Sequence, residues 1–405
     1  MTSSDAPRIG LALAGGGPLG AIYEIGALCA LEEALPGVDF NALHGYVGVS
    51  AGSFLAAGLA NGMTPRQLCT AFIESRSADD VDAIDPSLFI RPAFAEFARR
   101  AAALPRLALQ AAYQFAFGGS SLLAAVEHLG RALPAGLFSN SALERQMQRV
   151  LSAPGRTDNF RQLARRLVLV ATDLDSGETA PFGLPGWDHV PISRAIAASA
   201  ALPGLFPPVQ IGGRWYVDGA LKKTLHARVL LDMQLDLVIC LNPLVPFDAR
   251  HSLRHRVLGS AEPQIPHIVD GGLAAVLSQT FRTLIHSRLE LGMKGYETSH
   301  PDTDILLFEP DHRDPEMFLA NTFGYAQRRR LAEHAYQRTR ADLRSRRSTL
   351  RRQLARHGLD IDDAVLDDQR RHLVARVSAS APRSRAAMAV RRLDEVLDDL
   401  QRALA

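Results

Sequence analysis

The chain has few cysteines and no long uninterrupted apolar segment. Its 405 residues include three cysteines, Cys29, Cys69 and Cys240. An odd number of widely spaced cysteines in apolar surroundings argues against a disulfide framework and favours a reducing compartment. The richest apolar segment, residues 101–117, is interrupted by a proline and two polar residues, and the sequence contains no run of eighteen apolar residues. We therefore predict no membrane-spanning helix.

The sequence also lacks a strong excess of charge of either sign. Its 45 Lys and Arg residues are nearly matched by 43 Asp and Glu residues, which gives a formal net charge of +2. No general attraction to nucleic acid is expected from that balance. The apolar residues after Arg8 are too few for a secretory signal and run into glycines, so we predict a core strand there, no signal peptide, and a cytoplasmic protein.

Apolar strand patterns alternate with helical patterns along the chain. Segments 8–14, 166–172, 235–241 and 303–308 are apolar at successive positions, as expected for strands buried on both faces of a parallel sheet. Residues 20–35 and later segments carry apolar residues at helical spacing instead. Strands that alternate with helices predict an α/β protein with a mainly parallel central sheet.

One short motif carries a chemical signal. Gly48-Val49-Ser50-Ala51-Gly52 reads G-x-S-x-G, the pattern of a serine on a sharp turn between a strand and a helix. A helix that begins after Ser50 presents free N–H groups, Ala51 included, to an oxyanion formed there. The alternative interpretation is a helix that happens to begin beside a serine flanked by glycines.

A glycine loop, Gly15-Gly16-Gly17-Pro18-Leu19-Gly20, separates the first predicted strand from the first predicted helix. Its N–H groups can converge on a developing negative charge. The same residues also read G-x-G-x-x-G, the fingerprint of a dinucleotide site, and Asp39 stands near the position of a ribose-binding acid. We favour the oxyanion loop, because a nucleotide site does not explain the serine motif.

A serine nucleophile needs a base, and Asp218 in Tyr216-Val217-Asp218-Gly219-Ala220 is the candidate. It follows a predicted strand, so it is placed to project from the carboxyl edge of the sheet, where α/β sites gather. An aspartate with an ordinary pKa near 3.9 is a weak base. It can still accept the proton if it hydrogen-bonds the hydroxyl directly. His226 keeps a Ser–His–Asp arrangement open as an alternative.

These motifs, in this order, resemble those of the patatin-like phospholipases, bacterial members especially. A further block contributes to the resemblance and comprises residues 171–178 and 195–209, so that the resemblance covers about residues 8 to 310. It implies a three-layer α/β/α fold and a lipid acyl hydrolase with a Ser50–Asp218 dyad. It also implies that no histidine, metal or organic cofactor is needed. The oxyanion hole is expected to comprise Gly15, Gly16, Gly17, Gly20 and Ala51.

Two positions depart from the family pattern. Leu19 stands where the family usually has an arginine or lysine, which puts phosphate recognition in doubt and favours neutral lipids or lysolipids. Ala220 replaces the second glycine of D-G-G, a mild change. In the further block, Asp173 and Asp175 are interpreted as turn residues and not as metal ligands, and Ser199 is interpreted as a small packing residue.

The domain organisation is predicted as an acyl hydrolase domain over residues 1–320 and a helical C-terminal extension over residues 321–405. A helical insertion at about 86–135, with breaks at Pro105 and at Gly118, is interpreted either as a cover for the acyl chain or as ordinary packing. Residues 328–356 contain eleven arginines and two acids. They are interpreted as a solvated helical tail, with a surface for anionic lipid headgroups or a coiled-coil helix as alternatives.

Lipid or another acyl ester is the expected partner. Two further functions stay open at this stage. One is a histidine-dependent esterase or thioesterase that acts on soluble esters. The other is a non-catalytic lipid-binding protein on the same fold.

Overall fold

The computed structural model describes residues 6–74, 91–117, 133–250, 267–318 and 327–374. Eight strands of these residues form one sheet, linked in the order β5-β6-β3-β2-β1-β7-β8, with β4 paired to β3. The strands are β1 (Ile9–Leu13), β2 (Gly45–Val49), β3 (Arg166–Asp173), β4 (Thr179–Phe182), β5 (Val209–Ile211), β6 (Arg214–Asp218), β7 (Leu237–Leu241) and β8 (Asp304–Phe308).

The sheet is mixed but mainly parallel. Strands β1, β2, β3, β7 and β8 run in one direction. Strands β4 and β6 are antiparallel to β3, and β5 is antiparallel to β6. The longer predicted strands are therefore confirmed, whereas the short strands β4 and β5 were not predicted.

In the described residues, helices are interspersed with the strands along the chain, as expected for α/β units. They are α1 (Gly17–Ala34), α2 (Ala51–Ala60), α3 (Pro65–Cys69), α4 (Phe94–Phe117), α5 (Asn140–Leu151), α6 (Ile192–Ser199), α7 (Arg228–Leu231), α8 (Gly272–Ser299), α9 (Pro315–Phe318), α10 (Arg328–Ser345), α11 (Arg347–Ala355) and α12 (Asp363–Asp367). Among these described helices, none combines the length and apolar composition needed to cross a bilayer.

Helices cover both faces of the sheet. Because side chains alternate along a strand, Leu11 and Leu13 of β1 enter a core cluster with α1, α2 and α10. Ala12 enters a second cluster, on the other face, with α7 and Leu289 of α8. These two cores make the three-layer α/β/α architecture that the sequence predicted.

Helix α4 corrects one expectation. It continues through Pro105, where a break was predicted. A proline removes one hydrogen bond of a helix, and the freed carbonyl, that of Ala101, can be hydrated here because Ala101 is exposed. The second expected break, at Gly118, lies outside the described residues, as does much of the predicted insertion.

The C-terminal helix α10 packs closely on α1. At Gly26 of α1 an added Cβ would lie 2.6 Å from the carbonyl oxygen of Ala332 and 2.8 Å from the Cβ of Ala335. The Tyr336 hydroxyl donates to Glu33 Oε2 of α1 at 2.7 Å. Residues of α10 and α11 at the seven-residue spacing (Tyr336, Leu343 and Leu350) are buried in the same core cluster as α1.

Many arginines of α10 and α11 are bound within the protein. Arg340 is 2% exposed and its Nη2 donates to the carbonyls of Val365, Leu366 and Asp368 at 2.7–3.1 Å. Other arginines form ion pairs with acidic residues, as Arg351 does with Asp360. The ion pairs offset part of the positive charge between residues 328 and 356.

The contact at Gly26 predicts a large effect of a single methyl group. We expect Gly26→Ala to lower the free energy of unfolding by about 1–3 kcal/mol, because the backbone of α10 must move to admit the Cβ. Gly295→Ala in α8 is the matched control, since no atom lies within 4 Å of its added Cβ. That control should be neutral or stabilising by up to about 1 kcal/mol. Urea denaturation of both variants measures the difference, and equal midpoints would contradict the close packing.

Candidate active site

Ser50 occupies a strained turn between β2 and α2. Its φ of 51° and ψ of −119° lie in a region that residues with a Cβ rarely adopt. The Ser50 N–H donates to Ser199 Oγ at 2.8 Å, and Ser199 Oγ donates to the Val170 carbonyl of β3 at 2.6 Å. Ser199 thus links the turn to the sheet, so its interpretation as a packing residue was wrong.

The pairing of β3 explains why Ser50 and Asp218 meet. Residues 166–170 of β3 pair with β2, and residues 171–173 pair with β6. The β4 strand pairs with residues 169–172, and a strand has only two edges, so β2 and β6 must share the opposite edge of β3. They run in opposite directions along that edge, so their carboxyl ends face each other.

The two predicted catalytic residues are hydrogen-bonded. Ser50 Oγ donates to Asp218 Oδ2 at 2.6 Å, and the Ala220 N–H donates to Asp218 Oδ1 at 2.8 Å. Ser50 is 7% exposed and Asp218 is 2% exposed. Burial raises the pKa of Asp218 to about 6, although the hydrogen bonds from Ser50 and Ala220 oppose the shift. The carboxylate is therefore a stronger base than an exposed aspartate.

The glycine loop lies against the serine. A Cβ on Gly15 would lie 3.1 Å from Ser50 Cβ and 2.9 Å from Ala220 Cβ, so only glycine fits there. Within the described part of the chain, the N–H groups of Gly15, Gly16, Gly17 and Ala51 have no protein acceptor. They are free to bind an anion.

Gly20 differs from the other loop glycines that the sequence assigned to the oxyanion hole. Its N–H donates to the Gly16 carbonyl at 3.0 Å within the first turn of α1. A donor already used in this way is not available to an oxyanion. The sequence could not show this, because it depends on where α1 begins.

His226 and Asp39 do not join this site. The Nε2 atom of His226 lies 3.5 Å from the Gly219 carbonyl oxygen, and burial lowers the pKa of His226 to about 4. Asp39 is exposed and lies before β2 begins, where it caps a turn by accepting from the Asn41 N–H at 2.9 Å. A ribose-binding acid would stand at the carboxyl end of that strand.

The acidic turn after β3 behaves as the sequence predicted. Asp173 Oδ1 accepts from the N–H groups of Asp175 and Ser176 at 3.0 and 3.2 Å, which is turn chemistry. Across the described residues, no cluster of three or more His, Cys, Asp or Glu side chains could hold a metal ion.

Comparison with known protein families gives a match. The model of the family described as "Patatin-like phospholipase" matches residues 11–231. The matched span includes the glycine loop, Ser50 and Asp218. It supports lipid hydrolysis as the general activity.

Solved structures give weaker similarities. VipD from Legionella pneumophila is 15% identical over 82% of this chain and 67% of its own, with a TM-score of 0.35. The type III effector protein ExoU is 16% identical over 85% of this chain and 54% of its own, with a TM-score of 0.31. In a complex of ExoU with SpcU from Pseudomonas aeruginosa, the match covers 39% of the other chain, with a TM-score of 0.25. This chain thus spans about half or less of the ExoU chains, and none of these similarities is strong enough to indicate a shared activity.

The link through Ser199 predicts a positioning effect. Ser199→Ala removes the acceptor of the Ser50 N–H and the hydroxyl that donates to the Val170 carbonyl. We therefore expect kcat for ester hydrolysis to fall by about 10–100-fold, together with a loss of stability of about 1–3 kcal/mol. Ser193→Ala is the matched control in the same helix α6, because Ser193 Oγ donates to Asp158 instead, at 2.7 Å. Ser193→Ala should lose stability but keep kcat within about twofold. Equal kcat values in the two variants would refute the positioning role.

Proposed function

The chain belongs to the patatin-like phospholipase family, and from that premise we propose that it is a serine-dependent lipid acyl hydrolase. Its proposed substrates are carboxylic esters of phospholipids, lysophospholipids or neutral lipids. The hydrogen bond of 2.6 Å between Ser50 Oγ and Asp218 Oδ2 carries the proposal, because it joins a strained serine to a buried base with no imidazole between them.

The proposed reaction has two halves. Ser50 Oγ attacks the ester carbonyl carbon, and its proton moves to Asp218 Oδ2 as the new C–O bond forms. The N–H groups of Gly16, Gly17 and Ala51 bind the resulting oxyanion. The alcohol or lysolipid then leaves with the proton from Asp218. Asp218 next takes a proton from the water that attacks the acyl-enzyme. As the second tetrahedral intermediate collapses, Asp218 returns this proton to Ser50 Oγ and the fatty acid leaves.

The surroundings of Asp218 support its role as the base. The Ala220 N–H holds Oδ1, which leaves Oδ2 directed at Ser50 Oγ. A base with a pKa near 6 is deprotonated at neutral pH and yet accepts a proton more readily than an exposed aspartate does. The orientation of Oδ2 and the raised pKa together offset the low basicity of an ordinary aspartate.

The two rival functions have less support. A histidine-dependent mechanism requires an imidazole on Ser50 Oγ, whereas the hydroxyl already donates to Asp218 and His226 lies at the Gly219 carbonyl. A non-catalytic lipid-binding protein would not need a buried carboxylate on a strained serine beside unpaired N–H groups. Both features cost stability.

Peripheral membrane contact through residues 321–405 stays a prediction. Residues 375–405 lie outside the described residues. Within α10 and α11, ion pairs such as Arg351 with Asp360 reduce the charge that is free to meet anionic headgroups. Because α10 is part of the core around α1, a test of this contact needs point substitutions and not a truncation of the helix.

The dyad predicts a specific pattern of inactivation. Ser50→Ala and Asp218→Asn should each lower kcat by about 10³–10⁴-fold. His226→Asn is the control, since asparagine tolerates the φ of 45° found at this residue, and it should keep kcat within about threefold. A fluorophosphonate probe should label the wild type and not Ser50→Ala. Full activity in Asp218→Asn together with inactivity in His226→Asn would overturn the dyad.

The pKa of Asp218 predicts how activity depends on pH. Only the deprotonated carboxylate can accept the serine proton, so kcat/KM for a neutral ester should rise about tenfold per pH unit below pH 6 and level off above it. The measurement is a pH–rate profile between pH 4.5 and 9. If kcat/KM instead levels off above about pH 4, Asp218 is not the titrating base.

The same shift makes a prediction about stability. Because folding raises this pKa, stability from this group is present below about pH 4 and is lost as the pH rises through about 6. Asp218→Asn removes that loss, so the variant should be more stable than the wild type at pH 8, by up to about 3 kcal/mol. The difference should shrink toward pH 4. Thermal unfolding at the two pH values tests the sign.

A further inference from the structure

A pocket adjoins the glycine loop on the side of β7 and β8. Its walls include Gly16 and Leu19 from the start of α1, Pro243 and Phe247 from the segment after β7, and Arg282 from α8. Gly16 has an unpaired N–H, and its neighbour Gly15 lies against Ser50. The pocket is therefore next to the proposed catalytic site and opens at the same carboxyl edge of the sheet.

The guanidinium of Arg282 is the cation of this pocket. Its Nη1 donates to the Val245 carbonyl at 3.2 Å and lies 3.5 Å from the Pro243 carbonyl oxygen. Its Cζ lies 5.3 Å from the centre of the Phe318 ring. Burial lowers the pKa of Arg282 to about 10, so the side chain is still charged at neutral pH.

Arg282 lacks a counter-ion in the part of the chain that the structure describes. No carboxylate there lies within 4 Å of its guanidinium, and its Nη2 has no acceptor. The side chain is half-buried, and withdrawing a charge from water without a paired anion is unfavourable. The contact with the Pro243 carbonyl, at 3.5 Å, is longer than an ordinary hydrogen bond. A group with these properties is poised to bind an anion.

The acidic residues that line the same pocket are already paired. Asp311 pairs with Arg313 and Arg338, at 3.1 and 3.4 Å. Asp314 Oδ2 lies 3.7 Å from Arg338 Nε and 2.6 Å from His334 Nε2. These carboxylates are thus compensated by other cations, and Arg282 remains the uncompensated charge among the described residues of the pocket wall.

We propose that Arg282 binds the phosphoryl group of a phospholipid or lysophospholipid substrate whose acyl ester lies at Ser50. The assignment rests on the proposed function and names the substrate class of that site. A guanidinium suits this role because its planar N–H groups match two phosphoryl oxygens. Leu19 lines the same pocket and is uncharged, so Arg282 is the side chain there that can pair with a phosphoryl group.

A purely structural role for Arg282 is the competing explanation. Arg282 would then serve only to hold the carbonyls of Pro243 and Val245. The segment after β7 already has a stronger tie to α8, because Gln279 exchanges two hydrogen bonds with the Phe247 backbone at 3.0 and 2.9 Å. The experiments must separate holding this segment from binding an anion.

The first experiment measures anion binding without turnover. Isothermal titration calorimetry on the full chain compares sn-glycerol 3-phosphate, inorganic phosphate and glycerol. The wild type and the control Lys294→Gln, an exposed charge on the same helix, should bind glycerol 3-phosphate. Arg282→Gln should bind it at least tenfold more weakly, and Arg282→Lys should fall between them. No binding by the wild type, or equal binding by Arg282→Gln, overturns the inference. Tighter binding of inorganic phosphate than of glycerol 3-phosphate would assign a free-phosphate site and reject the headgroup.

The second experiment measures specificity. Lysophosphatidylcholine and a monoacylglycerol of the same acyl chain are hydrolysed by wild type, Arg282→Gln and Lys294→Gln. The ratio of the two kcat/KM values should shift against the phospholipid by about 10–100-fold in Arg282→Gln alone. An unchanged ratio with a loss on both substrates would mean that Arg282 is structural.

The two experiments also separate the inference from the proposed function. If the wild type binds glycerol 3-phosphate through Arg282 and cleaves no acyl ester, the proposed function fails and the anion site stands. If hydrolysis depends on Ser50 but the phospholipid shows no dependence on Arg282, the inference alone fails.

Discussion

The meeting of β2 and β6 on one edge of β3 is the constraint on which the site depends. Two strands that shared this edge in the same direction would present unlike ends to each other. Here they run in opposite directions, so that Ser50 and Asp218, 168 residues apart, are each carried to the junction. Gly219 follows Asp218 directly at this junction, where Val170 and Val49 lie close around it. The pairing of β2 and β6 with β3 thus brings Ser50 and Asp218 together, without the need for a flexible loop.

Several features of this junction lower the stability of the folded protein. Ser50 has a positive φ, Asp218 is buried with a raised pKa, and the N–H groups of the glycine loop lack acceptors. Each feature works against folding and favours the proposed chemistry. Two cores, one on each face of the sheet, hold the junction in place. Helix α10 contributes to this support although it is distant in sequence, because it fixes α1, whose first turn is the glycine loop.

The sequence predicted the features that depend on local patterns. Fully buried strands such as β1 are visible as apolar runs, and the motif residues 48–52 place a turn directly after β2. The same reasoning missed β4 and β5, since strands of three or four residues carry too few positions for a pattern. It could not give the direction of β6. Motif order shows that Asp218 follows a strand, but only pairing with β3 shows that this strand runs against β2.

The sequence analysis missed two residues of the site for the same physical reason. Ser199 and Arg282 act through contacts with segments far away in the sequence, and neither belongs to a motif with a chemical signal of its own. A serine in an alanine-rich helix and an arginine in a long helix are ordinary in composition. Their significance comes from their tertiary contacts. Ser199 bonds two backbone groups of other segments, and Arg282 is a half-buried charge without a carboxylate partner among the described residues.

The proposed chemistry and the proposed anion binding use different elements of the fold, which has a consequence for specificity. The proposed chemistry depends on β2, β6 and the glycine loop, whereas the proposed anion site depends on α8 and the segment after β7. Helix α8 packs on the sheet through few residues, Leu289 among them, so its side chains are less constrained than those at the junction. A cation placed on α8 can therefore be changed without disturbing the Ser50–Asp218 hydrogen bond.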